Sequence, residues 1–367
     1  MLRVAESTAV PLLAAATTLV AVGCSYPTKP GEPLGQLPET VTSAVPLWIP
    51  FRIAAGRAEA PDPRETRLQE LRRLTFDGKS RHPVWHPDGR HLLYETGDGG
   101  CGAIIELDLS TGARERLSPE GGSASLGGYL EEPRRLAFGR ADAEGRCRPR
   151  FDQASGWAAP DTSLWIEGPH AEPARPWLPG PAFEIATNRF AGVVFSSTRD
   201  GDPELYLLPP GSDPQRLTES PGYDGGASLA PDGGTVAWHA ESGRRRRGPR
   251  SSHPFAELHV HVATIHGKRA RIAVEAGHFD VQPSFMPDSR RLLFSSDYDA
   301  AGPGESFDLY LADPESAGPP QRLTHHPASD GEPQISPNGR YLAFTSTRGG
   351  GPGLDVYVAR FVEAQDQ

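Results

Sequence analysis

The chain of 367 residues is poor in lysine, in cysteine and in long apolar runs. Lys29, Lys79 and Lys268 are the only lysines among 37 basic residues, so arginine carries nearly all the positive charge and no single arginine is informative. Against them stand 47 acidic residues, and the net charge of −10 excludes nucleic acid and anionic lipid surfaces as partners of the whole protein. The cysteines are Cys24, Cys101 and Cys147; without a C-x-x-C pair they exclude a cysteine-based zinc site. No H-E-x-x-H and no phosphate loop occurs. The nearest approach to a nucleophile elbow, Gly226-Ala227-Ser228-Leu229-Ala230, ends in alanine and falls inside strand-like sequence. The main apolar stretch, residues 9–23, is too short to span a bilayer.

Glycine (41) and proline (38) are abundant and spread along the chain, which favours many short strands joined by tight turns. One unit recurs. HPVWHPDGRHLLYETG (82–97), GGASLAPDGGTVAWHA (225–240), VQPSFMPDSRRLLFSS (281–296) and EPQISPNGRYLAFTS (332–346) each join a turn to a buried-strand pattern. RRLAFGR (134–140) and AGVVFSSTRDG (191–201) keep only the apolar half. The aromatic anchors are Tyr94, Phe138, Phe195, Trp238, Phe294 and Phe344, spaced 44, 57, 43, 56 and 50 residues apart. Proline sets φ for the turn, Asp or Asn tolerates the strained next position, and Gly takes positive φ. The apolar runs are continuous, as expected of strands covered on both faces.

A β-repeat of this period is a propeller blade, and six anchors predict six four-stranded antiparallel blades in an all-β fold. The fourth strands end in Arg116-Leu117-Ser118, Arg216-Leu217-Thr218 and Arg322-Leu323-Thr324. Arg73-Leu74-Thr75 copies that ending ahead of the first anchor, while the last unit lacks one. The N-terminal strand around 68–75 is therefore expected to complete the C-terminal blade and seal the ring.

The pattern resembles the TolB-type propeller repeat, also described as WD40-like (PD40), over roughly residues 68–362. The resemblance implies a six-bladed β-propeller whose channel mouth receives partners; the propeller of TolB itself binds a peptidoglycan-associated lipoprotein, and some lyase-type propellers hold a metal in this region. Neither the α/β domain of TolB nor the hydrolase domain of propeller peptidases is legible in this sequence.

Residues 1–24 resemble a lipoprotein-type signal: an apolar core, then Ala21-Val22-Gly23-Cys24, in which Cys24 would be lipidated. Residues 25–65, with eight prolines, read as an extended tether. The propeller is expected over 66–362, with a tail at 363–367. Export permits a disulfide, and Cys101 and Cys147, in equivalent gaps of neighbouring blades, are expected to form one. The inner strands place Ser80, His82, Asp224, Asp280, Gln282, Asp330 and Glu332 at one channel mouth as a binding ring. Lesser candidates are His259 and His261 on one strand face beside Glu257, with His266 near, which chelate a metal or else pack between blades or face water; the Asp pairs 200/202 and 297/299, fragments of calcium loops or else turn caps; and the run Arg244–Arg247 with Arg250, a patch for phosphate-bearing lipid or polymer or else a solvated loop.

The expected function is non-catalytic: an exported, lipid-anchored scaffold on the periplasmic face of the envelope, at the outer membrane. Its partner would be an envelope protein or a polysaccharide or peptidoglycan-associated polymer, with no cofactor, no nucleic acid, and the membrane touched through the anchor alone. The alternative is a propeller enzyme, a polysaccharide lyase or hydrolase using a channel metal.

Overall fold

In a computed structural model of the protein, residues 51–363 are described except 98–101, 121, 131–134, 143–149, 153–155, 168–172, 242–256, 267–269, 303, 317 and 352. Cys24, Cys101, Cys147, Arg244–Arg247 and Arg250 lie outside the described residues. The repeats fold as blades. Blade 1 runs outward from Ser80–Trp85 through His91–Thr96 and Ala103–Asp108 to Arg114–Arg116. The inner strands of blades 2 to 6 are Gly122–Tyr129, Phe183–Asn188, Asp224–Leu229, Asp280–Phe285 and Asp330–Ile335. Each begins a four-stranded antiparallel meander, and the six together make a six-bladed propeller.

All six aromatic anchors are buried on the second strands. Phe195, Phe294 and Phe344 stack on Tyr206, Tyr310 and Tyr357, their cross-strand partners on the third strands, at 5.7, 5.8 and 5.7 Å. Buried apolar clusters lie at every junction of consecutive blades. Leu93 and Ile104 meet Leu126 and Phe138 between blades 1 and 2, and Ile166 meets Phe195 between blades 2 and 3. Leu207 meets Trp238, and Val262 meets Phe294, at the next two junctions. Leu293 and Leu311 meet Phe344 and Tyr357 between blades 5 and 6, and Val356 and Val358 meet Trp85 and Tyr94 between 6 and 1. At roughly 1.5–3 kcal/mol per buried large side chain, these junctions are the main cohesion of the ring.

The seal forms as the sequence implies. Leu68–Arg73 pairs antiparallel with Asp355–Phe361, Leu68 opposite Phe361 and Arg73 opposite Tyr357. The Arg-Leu-Ser/Thr ending has one mechanical role in four blades. Its hydroxyl accepts a third-strand N–H: Ser118 from Ile104, Thr218 from Leu205, Thr324 from Leu309 and Thr75 from Val356, all at 2.8–3.0 Å. Its arginine folds back onto the carbonyl of that Ser or Thr and, in three blades, pairs with the carboxylate that opens the third strand. These pairs are Arg216–Glu204, Arg322–Asp308 and Arg73–Asp355.

Residues 51–65 correct the tether boundary, because they pack on the propeller. Phe51 and Ile53 cover the cluster between blades 6 and 1. Ala54 and Ala55 both donate to the Leu109 carbonyl, and Arg57–Ala58 adds a fifth strand beside Leu68–Arg73. Proline density suggested a linker. The apolar Phe51, Ile53 and Ala55 between those prolines nonetheless have a junction to cover, and the folded body takes them in.

Candidate functional site

Five inner strands share an unusual backbone. Their third or equivalent residue has positive φ: His82 (56°), Glu184 (49°), Gly226 (59°), Gln282 (56°) and Glu332 (52°). Each sits at a shift in register against the second strand. For a residue with a side chain this conformation costs on the order of 1–3 kcal/mol, so each needs support from its surroundings. The bulge turns these residues into the channel, where His82, Glu184, Gln282 and Glu332 line a cavity of about 350 Å³ with Tyr223, His239, Val281 and Ala227.

The seven ring candidates therefore divide. His82, Gln282 and Glu332 face the cavity. Ser80, Asp224, Asp280 and Asp330, two residues earlier, are buried inside the blades and hold turns together. Ser80 donates to Asp77 at 2.9 Å. Asp224 accepts the Trp238 indole N–H at 2.7 Å. Asp280 accepts from Ser296 Oγ at 2.6 Å and from the N–H groups of Ala276 and Gly277. Asp330 binds the Arg348 guanidinium through both oxygens, and Arg348 also clasps Glu65 at 2.7 and 2.9 Å. Of the seven, the structure thus brings a histidine, an amide and one carboxylate to the mouth and keeps the other four inside the blades. Alternation along the strand sends the first residue inward, and the bulge sends the third to the channel.

A side chain of each of five blades accepts an inner-strand N–H of the next blade. The N–H of His82 donates to Glu332 at 2.6 Å, and that of Glu332 to Gln282 Oε1 at 2.9 Å. The N–H of Gln282 meets His239 Nδ1 at 3.4 Å, that of Gly226 donates to Glu184 at 2.7 Å, and that of Leu126 to Glu95 at 2.5 Å. In each case the acceptor belongs to the preceding blade, the His82–Glu332 pair joining blade 1 to blade 6. Residues after the anchors orient these acceptors: Ser196 donates to Glu184 and Ser295 to Gln282. In blade 4 the swap is visible. Gly226 leaves room, and His239 fills it; a Cβ on Gly226 would lie 2.1 Å from the imidazole Cε1.

Glu184, Tyr223 and His239 are absent from the sequence-derived ring. Blade 3 lacks the Pro-Asp-Gly turn, so its inner strand carried no alignment mark. The position following each aromatic anchor, His239 after Trp238 among them, was the available signal. Tyr223 donates to Glu184 at 2.5 Å and stacks on His239 at 5.5 Å.

Burial pushes His239 down, so the ring is a neutral acceptor. Burial pushes the Asp224 carboxyl up to about 7, with Glu204 and Asp202 adding to it against the Trp238 hydrogen bond. His259 and His261 take different neighbours. His259 Nδ1 lies 3.1 Å from Asp280, whereas His261 packs on Trp238 and burial lowers it to about 4. One member of each Asp pair caps a loop: Asp297 accepts the N–H groups of His278, Phe279 and Gly304, and Asp202 that of Gly222, whereas Asp200 and Asp299 accept the hydroxyls of Tyr206 and Tyr310. Among the described residues, one group of His and carboxylate donors is compact enough for a metal ion: His86, Asp88 and His91. It lies at the far end of the blade 1 inner strand from the ring.

Fold and site together define a six-bladed β-propeller with a polar, cross-braced channel mouth. No family model matches the sequence, and no curated protein sequence matches it. Among solved structures, a gluconolactonase from Xanthomonas campestris is 15% identical, with a TM-score of 0.52, over 86% of this chain and 97% of that one. TolB from Acinetobacter baumannii is 13% identical, with a TM-score of 0.47, over 78% of this chain and 64% of that one. An oligogalacturonate lyase in complex with manganese is 14% identical, with a TM-score of 0.47, over 77% of each chain. At these identities the likeness is one of fold.

Proposed function

We propose that the protein is a non-catalytic binding scaffold of the bacterial cell envelope, and that its channel mouth engages a protein or polymer partner. The observation that supports this most is where the polar groups of the mouth point. Glu184 accepts from Tyr223, Gly226 and Ser196, and Gln282 from Ser295 and Glu332. Carboxylates and amides committed to holding neighbouring blades make a rigid, acceptor-rich rim, suited to hydroxyl or ammonium groups of a ligand. The metal-enzyme alternative asks Asp280 and Asp330 to converge on an ion. Both are buried, one held by Ser296 and two backbone N–H groups, the other by Arg348. Envelope location rests on the signal-like residues 1–24, and anchoring on Cys24.

Plugging the cavity tests the reading. Ala227 lines it, and Ala227→Trp is chosen to fill it. Capture of a defined envelope component by the wild type, lost in Ala227→Trp with an unchanged melting temperature, supports the proposal. Turnover of a polysaccharide or lactone that the same substitution abolishes contradicts it and favours an enzyme.

A further inference from the structure

The turn between the first and second strands is built alike in five blades. An Asp or Asn side chain accepts the N–H groups of residues two or three places on: Asp88, Asn188, Asp232, Asp288 and Asn338. One oxygen suffices for this. The residues two before the cap are His86, Ala186, Ala230, Met286 and Ser336, and those three after it are His91, Ala191, Thr235, Arg291 and Tyr341. The turn thus demands histidine at neither place. Blade 1 has it at both.

The two rings converge on one carboxylate. His91 Nδ1 lies 2.7 Å from Asp88 Oδ2, the oxygen whose counterpart in blade 5 holds the Arg291 guanidinium. His86 Nδ1 lies 3.0 Å from Asp88 Oδ1 while accepting the Asp88 N–H at 3.1 Å. The donor atoms all lie within 4.8 Å of one another. The geometry is held from outside: Tyr129 of blade 2 packs edge-on against His86 at 4.5 Å, and Asp108 stands 3.9 Å from His91 Nε2. A carboxylate behind a ligating imidazole is the usual supporting arrangement. Arg90, next along the turn, is engaged by Asp108 at 2.6 Å.

We propose that His86, Asp88 and His91 form a binding site for a divalent transition metal, with water completing the coordination. Two imidazoles and one carboxylate suit Zn²⁺, Ni²⁺ or Cu²⁺ and not the oxygen-seeking Ca²⁺ or Mg²⁺. Zn²⁺ bonds of about 2.0–2.2 Å open the present spacings by a few tenths of an ångström. The site is independent of the channel mouth and of the binding role assigned to it.

The test is titration of the full chain, stripped with EDTA, with Zn²⁺ against a chromophoric chelator. One tight equivalent is expected. Asp88→Asn keeps the turn acceptor, as Asn188 and Asn338 do, yet weakens Zn²⁺ binding by about tenfold or more, as do His86→Gln and His91→Gln. Bound Co²⁺ should give the visible absorption of a four-coordinate site in the wild type and lose it in Asp88→Asn. No stoichiometric Zn²⁺, or an equivalent that all three variants retain unchanged, overturns the proposal.

Discussion

The Arg73 guanidinium donates to the Asp355 carboxylate at 2.6 Å, joining residues 282 positions apart. Thr75 Oγ1 reaches the other oxygen of Asp355 and accepts the Val356 N–H. This is the pairing that Arg322 and Thr324 make with Asp308 within a single blade. The ring is thus closed by the device that finishes its ordinary blades, supplied from the other end of the chain.

Arg73→Met leaves the Asp355 carboxylate buried beside apolar surface. A stability loss of about 3–5 kcal/mol is expected by urea unfolding. Arg57→Met, whose pair with Glu59 is exposed, should change stability by less than about 1 kcal/mol.

The Arg348 clasp on Glu65 and Asp330 fastens the N-terminal segment to blade 6. Its removal in Arg348→Ala strands two buried carboxylates, and a loss of about 3–5 kcal/mol is expected. Glu65→Ala should instead expose residues 51–65 to limited proteolysis at a rate the wild type does not show, with the blades still folded by circular dichroism.

Asp224 gives a pH signature. Its folded carboxyl holds a proton to about pH 7, whereas the unfolded chain releases it near the ordinary value of 3.8. The folded state therefore binds more protons between these values, and its stability falls as pH rises through that window. Asn cannot ionise and keeps an acceptor for Trp238. Asp224→Asn should match the wild type near pH 4 and exceed it at pH 8 by on the order of 2–4 kcal/mol. Unfolding curves at the two pH values decide it.

Gly226→Ala drives a methyl group into His239 at a position with φ of 59°. A loss of about 1–3 kcal/mol is expected. The Gln282 amide, deprived of its His239 acceptor, should exchange faster with deuterium.

The blade count, the anchors and the seal were legible because each rests on local chemistry repeated several times. Tyr94 and Phe344 mark buried strands wherever they stand, and Arg73-Leu74-Thr75 declares itself a fourth-strand ending by copying three others. The ring was half legible. Counting along the strand found both Asp330 and Glu332 but could not tell which faces the channel, because a bulge and a positive φ decide that. Glu184 stayed hidden since Asn188-Arg189-Phe190 replaces the usual turn sequence. Residues 51–65 read as linker because their pairing with Leu109 and Arg348 is long-range.

The central claim, that the channel mouth is where this protein meets its partner, is tested most directly by placing a photo-crosslinking residue at Val281, which lines the cavity, in intact cells. One discrete adduct is predicted from Val281, competed away by excess unlabelled protein and missing when the probe sits at the exposed Ile272 instead. Equal adducts from both positions, or an adduct from Ile272 alone, would contradict the account.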